Sequence, residues 1–575
     1  MADPERKLSL LVGRALEDAF GAEFASTDPA IRSSNHADYQ VNVAMSLKAR
    51  LGKPPRAIAE AIVQKLDAPD VLEKVEIAGP GFINLTLRPE FLAAALREVA
   101  VDERLGIPLA DPAETVVIDY SSPNVAKEMH VGHLRSTILG DALARVLEAR
   151  GHRVIRQNHL GDWGTPFGML IEHLLDVGED AVDRSMGELK DFYQAARKKF
   201  DEDPAFADRS RRRVVLLQGG DAPTLALWKR LVTATLRYCA SLYEKLGVTL
   251  TEDDVAGESF YNPMLADVIE ELQKKGLVKE SDGALCVFPE GFTGRDGAPV
   301  PLIVRKQDGG YGYPTTDLAA ARYRLQTLGG DRVLVVVGQE QSQHLAMVFA
   351  TARAAGWLAP PKRAEHVPFG AMLGEDGKMF RTRSGGSVRL VDLIDEAVER
   401  ARAVVAEKNP ELDAETREEV ARQVGIGAVK YADLSSDRVK GYVFDYARML
   451  AFEGNTAPYL QYAHARIRSI FRKADVASSD PAAIVVAAKA ERALALALLR
   501  FPGAVLHVEE ALEPHVLCTY LYDLATQFSA FYEACPVLKA GTPAERASRL
   551  ALADLTAHVL ARGLGLLGIE APARM

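Results

Sequence analysis

The segments TVVIDYSS at 115–122, GHLRSTILGDALARVLEARG at 132–151 and HRVIRQNHLG at 152–161 follow one another closely. The first is a short apolar run of strand type. The second repeats apolar residues at helical spacing and closes on Gly151, and the third is again a strand. Two strands joined by one helix lie parallel, so this part of the chain is committed to a βαβ unit and to a sheet covered by helices. A second such unit is predicted from PLIVRK, TTDLAAARYRLQTLGG and RVLVVVGQEQ, which end at residue 341. Between the two units, over about 180–285, lies a charged helical insertion that includes GELKDFYQAARKKFDEDPAF. Two separated halves of a nucleotide-binding sheet with an insert between them is the predicted architecture.

With 575 residues the chain is too long for one core. Residues 1–110 read as a small α/β domain. It contains the periodic segment KLSLLVGRALEDAF, the polar stretch SSNHADYQVN, the helix PPRAIAEAIVQKL, and two strand-like runs about the Gly-Pro-Gly turn in VEIAGPGFINLTL. The Pro-bearing stretch 107–113 reads as a linker. From 410 onward nearly every segment carries helical periodicity. The predicted fold is therefore multidomain α/β plus all-α, with a small N-terminal domain over 1–110, a Rossmann-type parallel-sheet domain over 111–400, and a C-terminal α-helical bundle over 401–575.

Apolar runs such as VLVVV at 333–337 fall far short of a membrane span of about 20 residues, and MADPERKLSL lacks the layout of a signal peptide. A cytoplasmic protein without membrane contact is expected. Cys239, Cys286, Cys518 and Cys535 form no CxxC pair, so reduced thiols in packing roles are expected. A net charge of −10 argues against indiscriminate nucleic-acid binding. Residues 438–473 oppose that average, with seven Arg or Lys, two acids and seven aromatics. Cations for phosphates and rings for exposed bases suit single-stranded RNA.

At the mouth of the first helix, SSPNVAKEMHVGHLRS places His130 and His133 around Gly132. A helix N-terminus beyond a parallel strand attracts phosphate, and two imidazoles one turn apart reach the same phosphate, while Gly132 lets an adenine ring approach the backbone. An ATP site is the candidate. Zinc is a rival reading of HxxH, although no nearby Cys or Glu completes a ligand set. Two histidines that merely cap a helix are another.

HVGH resembles the His-x-Gly-His signature of class I aminoacyl-tRNA synthetases. The blocks SSPNVAKEMHVGHLRSTILGD, NHLGDWGTPFGMLIEHL, DGGYGYPTTDLAAARYR, MLAFEGNTAPYLQYAHARIRS and LGLLGIEAPARM resemble arginyl-tRNA synthetases from the first domain to the last residue. The resemblance implies that ATP, with Mg2+, and L-arginine give arginyl-adenylate, and that arginine then passes to the 3′-terminal adenosine of tRNA(Arg). It also implies that activation needs bound tRNA. His130, His133 and Gly132 would serve ATP. In place of the usual Lys-Met-Ser-Lys-Ser loop stands KMFRT, with Lys378 and Arg381, and Lys127 would supply the missing cation.

A guanidinium substrate calls for carboxylates. By the resemblance, Asp119, Asp317 and Tyr313 would grip it, and Ser122, Asn124 and Gln341 would hold the amino and carboxyl ends. Alone, Asp317 reads as an ordinary first-turn acid of a helix. Tyr459, Tyr462 and Met575 would shape the anticodon pocket, Arg466, Arg468 and Arg472 would meet phosphates, and Tyr39, Gln40 and Asn42 would contact the D-loop corner of tRNA. The implied protein is a monomer without zinc. A catalytically inactive RNA-binding paralogue is the alternative, against which the joint presence of His130, His133, Lys127, Asp119 and Asp317 speaks.

Overall fold

The computed structural model describes residues 3–34, 36–125, 127–178, 186–374, 376–380 and 388–575, with backbone only for 165 and 186–190. In the N-terminal part, strands β1 (Ile31–Ser33), β2 (Tyr39–Val41), β3 (Leu72–Ala78) and β4 (Phe82–Leu87) form an antiparallel sheet in the order β1-β2-β4-β3. The Gly-Pro-Gly turn joins β3 to β4, and a Cβ on Gly81 would lie 2.7 Å from the Pro55 backbone. The stretch expected to be a polar loop supplies β2. Its alternation turns Tyr39 and Val41 inward and Gln40 outward, so Tyr39 is 1% exposed. The expected RNA contact by Tyr39 is thereby corrected: its ring is a core side chain.

The second sheet is parallel, with β5 (Thr115–Asp119), β6 (Arg153–Gln157), β10 (Arg332–Gly338) and β11 (Arg363–Phe369) in the order β11-β10-β5-β6. Chain order reverses between β5 and β10, which places a ligand crevice beyond their carboxyl ends. One expectation fails here. PLIVRK forms β9 (Leu302–Arg305), which pairs antiparallel with β8 (Ala284–Val287) and, through it, with β7 (Val278–Ser281), outside the parallel sheet. The reason is legible in burial: β9 alternates buried and exposed residues, as a half-covered antiparallel strand does, whereas β10 is apolar on both faces and sits centrally.

The helix Val131–Ala149 connects β5 to β6 and is buried along most of its length. Its Arg135, wholly buried, pairs with Asp433 at 3.0 Å across the boundary with the C-terminal helices. One apolar core runs from the N-terminal sheet through this helix into the bundle. A separate cluster fills the insertion, built on the helices Thr165–Val177, Pro204–Gln218 and Ala222–Leu246. The helix Leu390–Lys408 runs through residue 400, so no element ends at the expected domain boundary. All four cysteines are free and buried.

Candidate active site

β5 stays apolar up to Asp119 and ends in a turn that only a strong hydrogen-bond frame sustains. Ser121 and Ser122 adopt φ of 73° and 48°. Left-handed conformations at non-glycine residues cost about 1–3 kcal/mol each. The Ser121 amide donates to Ser136 Oγ at 2.9 Å, the Ser122 amide to Asn158 Oδ1 at 3.0 Å, and Ser122 Oγ to Asp119 Oδ1 at 3.1 Å. The turn aims Asn124 across Gly161, where a Cβ would stand 2.4 Å from Asn124 Oδ1.

His130 is the N-cap of the helix Val131–Ala149. Its Nδ1 accepts from the Gly132 amide at 3.0 Å, and His133 Nδ1 accepts from the His130 amide at 3.1 Å. Both Nδ1 atoms being acceptors, the proton of each neutral ring resides on Nε2. Burial, with Lys127 adding to it, lowers the pKa of His130; burial followed by His130 takes His133 from 6.5 to about 3. The two rings, 4.0 Å apart, are thus neutral Nε2–H donors at pH 7. The caps thus fix the tautomer in which each Nε2 carries the proton and can donate. A Cβ on Gly132 would lie 2.8 Å from His130 Cε1, so the glycine is required by the histidine itself before any adenine.

Lys127 is exposed, with Nζ 5.2 Å from the Tyr193 ring of the insertion. Lys378 is exposed in a turn where its amide donates to Asp376 Oδ1 at 3.0 Å. Arg381 lies outside the described residues. Among the described residues no three His, Cys, Asp or Glu side chains gather as a set of metal ligands.

Beside the crevice opens a cavity of about 1200 Å³, lined among others by Trp163, Glu258, Tyr313, Gln341 and His344. Tyr313 is 66% exposed and meets His344 edge-on, with ring centroids 5.0 Å apart. His344 Nε2 lies 2.6 Å from Asp317 Oδ2, which joins this acid to the cavity wall. Burial, with Asp162 and Asp317 nearby, pushes the Glu258 carboxyl up to about 7.

Asp119 does not stand open as expected. It is 5% exposed, and Arg324 Nη2 donates to its Oδ2 at 2.8 Å. A desolvated carboxylate at a strand end requires a paired cation, and the chain supplies one itself. Asp119 thus meets a guanidinium of the chain itself. Arg324, His344 and Glu258 escaped the sequence reading, since a polar residue within LAAARYRLQTL, EQSQHLA or AGESFYNP carries no signal of what it faces.

Toward the C-terminus, Tyr462 is 45% exposed with its ring against Phe452, and Tyr459 is half-buried against Tyr522. Met575 packs on the core, and its carbonyl accepts from Asn409 Nδ2 at 3.0 Å. Arg466 lies over the Tyr532 ring at 4.9 Å, and Arg472 is exposed and donates to the Ala573 carbonyl at 3.0 Å. Arg468 is tied to Asp554 at 2.8 Å. Gln40 is half-exposed and donates to Asn84 Oδ1 at 2.9 Å, and Asn42 is half-buried beyond β2.

Paired imidazoles at a helix mouth, beyond the switch point of a parallel sheet, coincide with a match to the family model of the class I (R) tRNA synthetase catalytic domain over residues 96–446. The chain is a class I aminoacyl-tRNA synthetase. Models of the arginyl tRNA synthetase N terminal domain and of the DALR anticodon binding domain match 6–87 and 460–575. The arginine–tRNA ligase of Thermobifida fusca (strain YX) is 60% identical with 100% of both chains covered, and that of Cellvibrio japonicus (strain Ueda107) is 52% identical over 95% of each. Among solved structures, the arginyl-tRNA synthetase from Plasmodium falciparum superposes with a TM-score of 0.86 at 30% identity, covering 99% of both chains. The Thermus thermophilus arginyl-tRNA synthetase gives 0.83 at 29%, over 99% of this chain and 100% of that one. The chain belongs to the arginyl-tRNA synthetase family, and its activity is that of an arginine–tRNA ligase.

Proposed function

We propose that the carboxyl edge of the parallel sheet carries both halves of the reaction. The arginine carboxylate attacks the α-phosphorus of ATP, the bond to the β-phosphate breaks, and pyrophosphate leaves. A ribose hydroxyl of the 3′-terminal adenosine of tRNA(Arg) then attacks the arginyl carbonyl and AMP departs. His130 and His133 donate Nε2–H bonds to phosphate oxygens, Gly132 opens the helix mouth to the nucleotide, and Lys127, Lys378 and Arg381 supply cations. Mg2+ enters with the triphosphate. Ser122, Asn124 and Gln341 hold the amino and carboxyl ends of arginine, and Tyr313 and Asp317 take the guanidinium. The observation that carries this reading is the pair of neutral donors at the mouth of the helix after β5, beside a cavity lined by Tyr313 and Gln341 and reached by Asp317 through His344.

Residues 1–110 and 401–575 serve tRNA in this reading, through Gln40 and Asn42 in the first and through Tyr459, Tyr462, Arg466, Arg472 and Met575 in the second. The enzyme acts as a cytoplasmic monomer. No described helix is long and apolar enough to cross a membrane. Tyr462→Ala is expected to weaken tRNA binding by about 5–150-fold, the range for one stacked base, while arginine and ATP KM at saturating tRNA hold. Filter binding at fixed salt measures it. A lowered melting temperature with unchanged affinity would assign the ring to packing.

The decisive experiment is exchange of pyrophosphate into ATP across the twenty amino acids, with and without tRNA. Exchange with arginine alone, and only with tRNA, is expected. Silence under every condition would sink the catalytic reading. Measured from pH 5.5 to 8, the exchange rate is expected to show no step from His133, which stays neutral down to about 3, so that Glu258, at about 7 in the cavity wall, is the group that titrates in this range. The unfolded imidazole does take up a proton near 6.5, so His133 costs stability as pH falls below that value. A rate that follows an imidazolium would contradict the donor assignment.

A further inference from the structure

The carboxyl edge of the parallel sheet holds a guanidinium of the protein's own. Arg324, 4% exposed, lies in the π-helical turn Tyr323–Thr327 that continues the helix Tyr313–Arg322. Wide turns of this kind recur at functional sites, because they redirect the side chains that follow. Arg324 Nη2 donates to Asp119 Oδ2 at 2.8 Å, and Nε donates to Gln157 Oε1 at 2.6 Å. Asp119 and Gln157 are register partners and the last residues of β5 and β6. One planar fork therefore clasps two adjacent strand ends. Tyr261 adds a hydroxyl donated to Gln157 Oε1 at 3.3 Å, and its ring stacks on His159.

The clasp has a consequence at each end. The helix that leads into Arg324 begins with Tyr313 and carries Asp317 one turn on, the half of the pocket assigned to the guanidinium. The other oxygen of Asp119 accepts from Ser122 Oγ at 3.1 Å and from the His159 amide at 3.3 Å, so the same carboxylate braces the strained turn that presents Ser122 and Asn124. The two halves that hold opposite ends of the amino acid are thus referenced to each other through one buried ion pair. What separates those halves is the length of the side chain between them.

We propose that Arg324 is a specificity-determining positioning residue: the Arg324–Asp119 pair sets the spacing between Tyr313/Asp317 and Ser122/Asn124, and with it the side-chain length that the pocket accepts. This rests on the assignment of those four residues to arginine given above. A role confined to neutralising Asp119 would affect every substrate alike. A role in spacing acts on discrimination between substrates that differ by one methylene.

The test uses the full-length enzyme with its tRNA and compares arginine, homoarginine, which is one methylene longer, and 2-amino-4-guanidinobutanoate, one methylene shorter. A fitted pocket separates substrates that differ by one methylene by about 10–200-fold. Arg324→Lys keeps a cation on Asp119 but gives up the fork that also reaches Gln157. It is expected to lower the arginine-to-homoarginine ratio of kcat/KM by about 10-fold, with the ATP KM within about two-fold of the parent. Arg324→Gln, which leaves Asp119 without its cation, is expected to lower the ratio further, and Arg324→Lys decides the question if the glutamine variant does not fold. A parallel fall for all three guanidino substrates, ratio unchanged, overturns the proposal. Asp317→Asn, run alongside, separates the two levels. If it raises the arginine KM alone while Arg324→Lys leaves the ratio intact, only the spacing role fails. If it alters the arginine and ATP KM equally, the assignment of the pocket fails first.

Discussion

His133→Ala is expected to slow arginyl-adenylate formation by about 100-fold or more while tRNA affinity changes only a few-fold, the scale of losing one preorganised donor to a transition-state phosphate. The force of the expectation lies in the tautomer. His133 Nδ1 is held by the His130 amide at 3.1 Å, so Nε2–H points outward without any reorganisation as charge develops on the leaving pyrophosphate. Alanine also strips the His130 amide of its acceptor, and a lost cap costs about 1 kcal/mol of stability. His133→Asn distinguishes the two losses, since its amide oxygen can take over the cap but no Nε2–H remains. Single-turnover adenylate formation beside a thermal melt reads both. Asparagine that restores the melt and leaves the rate slow supports the donor role; asparagine that restores the rate would make His133 a cap and nothing more.

Asp317→Asn is expected to raise the arginine KM by about 30–150-fold, equivalent to about 2–3 kcal/mol for a charge-assisted hydrogen bond, and to leave the ATP KM within about two-fold. The side chain of Asp317 is 29% exposed, so part of its interaction with a cation is screened by water. His344 Nε2 lies 2.6 Å from one oxygen of Asp317, and in the proposed function the other takes the guanidinium. Asp119 is paired with Arg324, so in the proposed pocket the guanidinium is assigned to Asp317. Initial rates with each substrate varied in turn, at saturating tRNA, measure the split. Equal changes in both KM values would remove Asp317 from the guanidinium half of the pocket.

These effects rest on a frame held from far along the chain. Arg135, two residues beyond His133, pairs with Asp433 while its Nη1 donates to the Gly370 carbonyl at 2.6 Å and the Lys440 carbonyl at 3.1 Å. The mouth of the helix Val131–Ala149, where the nucleotide is proposed to bind, is thereby fastened to the helices that lead into the part matched by the DALR anticodon binding domain.

Local chemistry made the first βαβ unit, the HVGH mouth and the helical C-terminus readable from residue order, because periodicity, Gly151 and a strand-to-helix turn act over a few residues each. The placement of PLIVRK was not readable that way. A run of four strand residues does not encode its own neighbour, and β9 takes β8 as an antiparallel partner in a separate sheet. Asp119, Tyr39 and Arg468 follow the same rule. Each has the residue type its expected role demands, yet Arg324, the N-terminal core and Asp554 reach it first. The sequence by itself determined which chemistry the chain could carry and the order of its elements, since those depend on residue types and short-range spacing. Only the tertiary structure decided which charges remain free to meet a substrate, because the partner that neutralises a buried carboxylate or guanidinium lies 205 positions away for Asp119 and 86 for Arg468.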